Sequence, residues 1–493
     1  MRNLPSAASP VAPYGHDTPH AHAPHAPRPA RSAPDPRRWR ALALLCLAQF
    51  MLIVDVTVVT VALPTIARDL SLGRGGLTWV VAAYSLCFGG LLLLGGRLAD
   101  TLGRRRAFLI GLTVFIAASL VCGLAWTGAA LVGGRVAQGI GAALLSPAAL
   151  SIITTTFDGP ERGRALGVWA AIGGSGGAVG VLVGGLLTSG PGWQSVFLVN
   201  VPIGLAVLAL LPRVVPPVPA VRRPLDVPGA IAATATAALL IFGLVRAGDY
   251  GWSEATTIVS LIGAAGGAVV FALRERTARS PLVPLAMLGR RSIATGNLIM
   301  LSTSSVLFAA FFLASQYLQN LLDYSAVRTG LVFLPVALAI IAGAHASSLL
   351  VGKVGPRAVA AAGFAFAAAG LVLLARLPAD GNVVVDLLPG FMILALGLGL
   401  GFVCATTTAL NGIGHHEAGL ASGIVNTGHE IGGAFGVALA TAIAGASVGG
   451  HTIAGFQTAF GVFAAAAAII AVLALLLVPG GRPDTGDGPI FAH

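Results

Sequence analysis

Between residues 41 and 478 the chain is a succession of long apolar runs separated by short polar turns. The runs fall at about 41–63, 77–95, 107–126, 129–153, 165–187, 195–211, 229–245, 256–273, 293–315, 331–352, 357–375, 386–410, 418–445 and 455–478, fourteen in all. About 20 apolar residues bridge the hydrocarbon core of a bilayer as a helix. Lipid offers no water to an open sheet edge, so helices are the spanning structure that such runs predict. The sharpest punctuation is the turn Gly96-Arg-Leu-Ala-Asp-Thr-Leu-Gly-Arg-Arg-Arg106, set between two runs that carry no charge. So short a basic turn predicts a helical hairpin returning to the cytoplasmic face. Within it Gly96 and Gly103 let the chain turn closely, and Asp100 and Arg104 pair with each other or cap neighbouring helix ends.

Composition agrees with the pattern. The chain is 56% hydrophobic and 10% charged, with a mean hydropathy of +0.89. A soluble domain carries about 25% charged residues. The net charge of +11 would suit nucleic acid, but its distribution reads as topology. With the N-terminus placed inside, the cytoplasmic segments hold 23 Lys and Arg, and the outer loops hold only Arg68, Arg74, Arg246, Arg328 and Arg376. That split follows the positive-inside rule, and an even number of spans puts both termini in the cytoplasm. All four cysteines fall within apolar runs and read as small packing residues. No cleavable signal peptide is apparent, because the first apolar run begins at residue 41 and is long enough to span. Residues 1–40 form a Pro/His-rich polar tail, expected to be disordered, in which His16, His20, His22 and His25 read as solvated rather than metal-binding. Residues 479–493 are a second polar tail.

The chain also resembles itself. Gly163-Arg-Ala-Leu-Gly167 matches Gly419-Leu-Ala-Ser-Gly423, and Gly176-Gly-Ala-Val-Gly-Val181 matches Gly432-Gly-Ala-Phe-Gly-Val437, both at an offset of 256 residues. Gly96-Arg-Leu aligns with Gly352-Lys-Val at the same offset. Each span thereby maps eight spans onward. A six-helix half (41–212), two extra helices with their linkers (213–291) and a second six-helix half (292–478) give that shift. Parallel six-helix repeats are the plan of the major facilitator transporters.

Local motifs resemble the same superfamily. Gly96–Arg106 is similar to its loop between helices 2 and 3, and Leu131–Gly141 to its helix-4 motif centred on an arginine, here Arg135. Asp55–Pro64 resembles the first-helix motif of the fourteen-helix drug/proton antiporter family, and Trp193–Gly204 that family's sixth span. The resemblance implies an all-α integral membrane protein of the major facilitator fold, with 14 helices as 6+2+6. The family's fifth-helix motif carries a proline that is missing here. Gly176, Gly180 and Gly184 remain as a small-residue packing face.

Charges inside such spans require a reason, since each costs about 2.5–3.5 kcal/mol even on lenient scales. At 1.5 Å per residue, Asp55 lies about 12 Å and Arg135 about 9 Å from the outer ends of their spans, so the two are level. Burial disfavours the charged form of a carboxylate and a guanidinium favours it, a balance that a proton can switch. The alternative is a static structural salt bridge. Gln138, one turn beyond Arg135, shares the site. Glu430, in the thirteenth span, is a second proton carrier, a counter-charge for a cationic substrate, or a neutral acid bonded to Asn426. Asn200, Asn297, Gln316 and Asn426 are candidates for the substrate cavity or for bonds between helices. His345 reads as a packed or hydrogen-bonded histidine.

The expected function is proton-coupled efflux of small apolar, in part cationic, compounds such as drugs or antibiotics. The alternative is proton-linked transport of one dedicated metabolite; a membrane sensor or an enzyme is the third class. Gly173-Gly-Ser-Gly-Gly177 matches a hydrolase pattern but lies in a Gly-rich span with no strand before it, and no Walker-type phosphate loop occurs. No cofactor, metal or nucleic acid is therefore expected: the partners are the substrate, protons and the bilayer. The setting expected is a monomer in a bacterial inner membrane.

Overall fold

The structure, a computed structural model, describes residues 37–157, 159–217, 226–278, 281–283, 285–411, 413, 418–448 and 452–480. The His-rich tail lies outside them, as do the side chains of Asp100 and of residues 173–178, Gly176 among these. Every regular element among the described residues is helical. The first part of the chain forms α1 (Arg37–Asp69), α2 (Arg74–Leu102), α3 (Arg104–Gly123), α4 (Gly128–Thr156), α5 (Gly159–Ser189), α6 (Gln194–Leu198) and α7 (Asn200–Val214). Then come α8 (Val227–Tyr250), α9 (Ala255–Thr277) and the short α10 (Leu285–Leu288). The last part holds α11 (Arg291–Gln316), α12 (Ala326–Val354), α13 (Pro356–Leu374), α14 (Leu388–Leu410), α15 (Ala418–Ala444) and α16 (Ala454–Leu477). Among the described residues, twelve helical segments are long and apolar enough to cross a membrane, with α6 and α7 joined as one of them. α5 and α15, of 31 and 27 residues, pack among these.

The span expected at 195–211 breaks at Val199. Pro202 supplies the reason: it has no N–H for the carbonyl of Leu198, and α7 restarts at Asn200. Wide turns of the π type, Tyr317–Leu321 and Val383–Leu387, extend α11 beyond its end and precede α14. Helix starts are fastened where the turns carry the right side chain. Thr127 accepts from the Ala130 N–H and Ser325 from that of Arg328.

Two pairs of helices pack alike. α3 and α4 cross where Gly111 and Gly141 face one another, and a Cβ on either would sit 2.7–2.8 Å from the other's carbonyl oxygen. α13 and α14 cross in the same way at Gly363 and Gly397. The turns after α2 and α12 both end on a glycine with positive φ, Gly103 (+86°) and Gly355 (+84°), which caps the next helix.

The two groups of helices meet along two seams, α2 against α15 and α5 against α12. At the end of the bundle away from Arg37, Thr78 of α2 bonds Thr441 of α15 at 2.9 Å. There too Ser315 donates to the Thr60 carbonyl and Gln319 to that of Val61, both at 2.9 Å. α8 lies across the α2–α15 seam, where Ile241, Leu244 and Val245 pack with Ala82, Leu86, Ala434 and Ala438. α9 packs chiefly on α8 and leaves Val259, Ile262, Val269 and Val270 exposed, a face suited to lipid.

Candidate functional site

The apolar sequence of α1 is interrupted by one carboxylate, Asp55, and the fold wraps it completely. Asp55 and Arg135 are each 1% exposed and form an ion pair through Arg135 Nη1 and Asp55 Oδ2. The other carboxylate oxygen accepts from Gln138 Nε2 at 3.0 Å and from Asn200 Nδ2 at 2.8 Å. Arg135 also donates from Nε to the Val80 carbonyl at 3.0 Å and from Nη1 to Gln138 Oε1 at 2.9 Å. Gln138 Nε2 donates further to Ser119 Oγ at 2.8 Å. The guanidinium carbon lies 4.4 Å from the ring centroid of Tyr84 and 5.9 Å from that of Phe197. Side chains from α1, α3, α4 and α7 thus close one network, with α2 and α6 supplying the aromatic walls. A charge pair so far from water persists only when its polar atoms find partners, and here both carboxylate oxygens and Arg135 Nε and Nη1 do.

Gln138 and Asn200 therefore serve the Asp55 carboxylate instead of facing an open cavity. The network's other members, Ser119, Tyr84 and the Val80 carbonyl, were missed from the sequence. A serine or tyrosine in an apolar run carries no mark of a partner tens of residues away in sequence, and a backbone carbonyl carries none at all.

Glu430 lies in the second group of helices and is 6% exposed. Its Oε1 is 3.9 Å from His429 Nε2, and the Ser85 hydroxyl of α2 lies beside the carboxylate, although no well-aligned hydrogen bond reaches Oε2 among the described residues. Asn426, one turn earlier, does not satisfy that oxygen. Gly89 of α2 makes the approach possible, since a Cβ there would be 2.5 Å from the Cβ of Glu430. Tyr84, five residues before Gly89, lies within electrostatic reach of both Asp55 and Glu430.

The other candidates are scattered. Asn297 of α11 packs against Gly428 of α15 and leaves its Oδ1 buried without a partner among the described residues. Gln316 is fully buried at the far end of α11 and accepts from Asn320 at 2.6 Å. Gly180 and Gly184 of α5 pack on α1 at Thr57 and Val58. His345 is exposed, on a face of α12 that also exposes Ile341 and Leu349, so of the expectation of a packed or hydrogen-bonded histidine the packed form fails. In the charged turn, Arg97 donates to the carbonyl of Pro281, beyond α9.

Comparison with known proteins agrees with this architecture. The family model described as Major Facilitator Superfamily matches residues 45–437. The cephamycin export protein CmcT of Amycolatopsis lactamdurans is 41% identical, over 83% of this chain and 86% of its own. The puromycin resistance protein pur8 of Streptomyces alboniger is 40% identical, over 83% and 82%. Among solved structures, a crystal structure of a peptide transporter POT in complex with alafosfalin superposes with a TM-score of 0.65 over 90% of this chain and 96% of that one. At 18% identity that likeness speaks for the fold alone. The Asp55–Arg135 network is thus set in a bundle whose sequence and shape both point one way: this chain is a multi-pass bacterial membrane protein of the Major Facilitator Superfamily.

Proposed function

We propose that this chain is an antiporter that expels small apolar compounds, antibiotics among them, in exchange for protons by alternating access. The observation that carries the reading is the Asp55 network: one carboxylate, removed from water, bonded to Arg135, Gln138 and Asn200. A small displacement of Arg135 changes the balance between the charged and neutral carboxyl. Asp55 takes up a proton when the cavity opens outward and releases it when the cavity opens inward. Relatives named for cephamycin export and puromycin resistance support efflux.

The reading includes fourteen spans arranged 6+2+6, with residues 41–212 and 292–478 as the two halves and both termini cytoplasmic. In that orientation the Thr78–Thr441, Ser315–Thr60 and Gln319–Val61 contacts close the outer face. The turn Gly96–Arg106 then gates the inner face through Asp100 and Arg104. The protein works as a monomer, with the proton gradient as its energy source, and leaves its substrate chemically unchanged. A second reading, export of one dedicated metabolite, is favoured by the single antibiotic in each of those relatives' names. Accumulation of a panel of compounds in cells with and without the protein, with and without a proton gradient, tests both. Lower accumulation that vanishes with the gradient is expected; accumulation indifferent to the gradient overturns proton coupling, and a response to one compound alone selects the second reading.

A further inference from the structure

α6 has only five residues, too few to hold a helix alone, so its place is set by what it touches. It packs on α1, α3 and α5. The chain enters it through Gly192, at φ +106°, and Ser195 ties it to the end of α5 by donating to the Leu187 carbonyl at 3.2 Å. At its head Trp193, 1% exposed, donates from Nε1 to Oδ2 of Asp69 at 2.8 Å. At its tail, beyond the break at Val199, Asn200 donates to Oδ1 of Asp55. Between the two, the Phe197 ring stands 6.3 Å from that of Trp193, at 86°, and 5.9 Å from the Arg135 guanidinium. One short segment and the residue after it thus meet both carboxylates of α1, the exposed one at its last residue and the buried one within it.

A carboxylate is an unfavourable last residue for a helix, because the C-terminal end of the dipole is negative. A buried indole in turn needs an acceptor for its N–H. Asp69 and Trp193 satisfy each other. The break beyond α6 gives that bond a consequence. With the backbone bond at Pro202 missing, the ladder of α7 does not by itself fix where Asn200 sits, and side-chain anchors before the break do. The charged or titratable groups that face Asp55 are Arg135 of α4, Tyr84 of α2 and Cys122 of α3, all on unbroken helices. Asn200 is the partner whose place depends on α6.

We propose that Trp193 and Asp69 are positioning residues for the proton site: their hydrogen bond fixes α6 against α1, and α6 holds Asn200 on the Asp55 carboxylate. The proposal rests on proton coupling at Asp55 and deepens it, because it names what keeps one of the three donors in place.

The infrared stretching band of a protonated carboxyl that is lost in Asp55→Asn reports Asp55 in the purified full-length protein in lipid nanodiscs, and its titration with pH needs no substrate. Asn200→Ala is expected to move the midpoint of that titration by about one pH unit, the worth of one hydrogen bond to a charged group. Trp193→Phe, which keeps a ring and loses the N–H, and Asp69→Leu are each expected to move it in the same direction by about half as much or more. Asp69→Asn, whose amide oxygen still accepts from the indole, is expected to titrate as the wild type does. In the Asn200→Ala background the Trp193→Phe shift is expected to vanish. A Trp193→Phe protein that titrates as the wild type does overturns the proposal while proton binding at Asp55 stands. A Trp193→Phe shift undiminished in the Asn200→Ala background overturns it too, since the indole then acts by another route. Identical spectra for the wild type and Asp55→Asn at every pH remove the proton site itself, and the positioning role with it.

Discussion

Asp55 accepts three donors because a carboxylate in the middle of a bundle has no water to fall back on. Removing one partner of a buried ion pair costs about 3–5 kcal/mol, since the other charge stays behind. Asp55→Asn keeps the shape, still accepts from Gln138 or Asn200, and removes the proton site. Because the Arg135 charge is left without its counter-charge, the variant is expected to melt at a lower temperature than the wild type, and in the protein that folds gradient-driven export is lost with substrate binding retained. Arg135→Ala is expected to lose both export and thermal stability, because it strips the guanidinium from Asp55, from the Val80 carbonyl and from the Tyr84 ring. Proton release on substrate addition, followed across pH in purified wild type and Asp55→Asn, is the measurement. If the variant releases protons as the wild type does, Asp55 is not the carrier and Glu430 takes its place. Asp55 and Arg135 were legible as a level pair because both are charges in apolar runs and helical rise converts position into depth. Asn200 was legible as a buried polar group, yet not as a ligand of Asp55: it lies 145 residues away, and the direction of a helix face across that distance is a tertiary property.

Helices were the most legible level, since apolar length in lipid leaves the backbone little choice. The repeat was legible only as glycines at a common offset, and the helix crossings rest on other glycines. At Gly111–Gly141 and at Gly363–Gly397 the paired helices touch backbone to backbone. A methyl group there must push the helices apart, and overpacking of that kind costs about 1–3 kcal/mol. Gly141→Ala and Gly397→Ala are therefore expected to lower the melting temperature of the purified protein by similar amounts. Gly133→Ala, also in α4 but with open space around it, is the control expected to change nothing or to stabilise slightly. Melting temperatures for Gly141→Ala and Gly397→Ala equal to that of the control would show that the two crossings are not tight. The break between α6 and α7 went unread from hydropathy, since an apolar window stays apolar across a missing hydrogen bond; only Pro202 marked it.

The position of α8 decides how the whole molecule can move. The two additional helices do not stand apart: α8 packs on α2 and α15 together, across the seam between the two groups of helices. No residue pattern announced this, because a helix with apolar side chains all round looks the same facing lipid or protein. Orientation rests on charge, and cysteine accessibility checks it. The four native cysteines are all buried, so a membrane-impermeant thiol reagent added outside is expected to reach Gly251→Cys and not Pro216→Cys. The reverse pattern would invert the topology. In the expected orientation the Thr78–Thr441 bond ties α2 to α15 at the outer face beneath the end of α8, and alternating access requires this end of the seam to part. The two hydroxyl oxygens are 2.9 Å apart, so thiols placed at these positions lie side by side across the seam. Oxidation of the Thr78→Cys, Thr441→Cys double variant is expected to halt export, and reduction to restore it. Either single variant should export under both conditions. Undiminished export by the cross-linked protein would mean that the α2–α15 seam stays shut throughout the cycle, and that the cavity opens outward, if it does, along α5 and α12 instead.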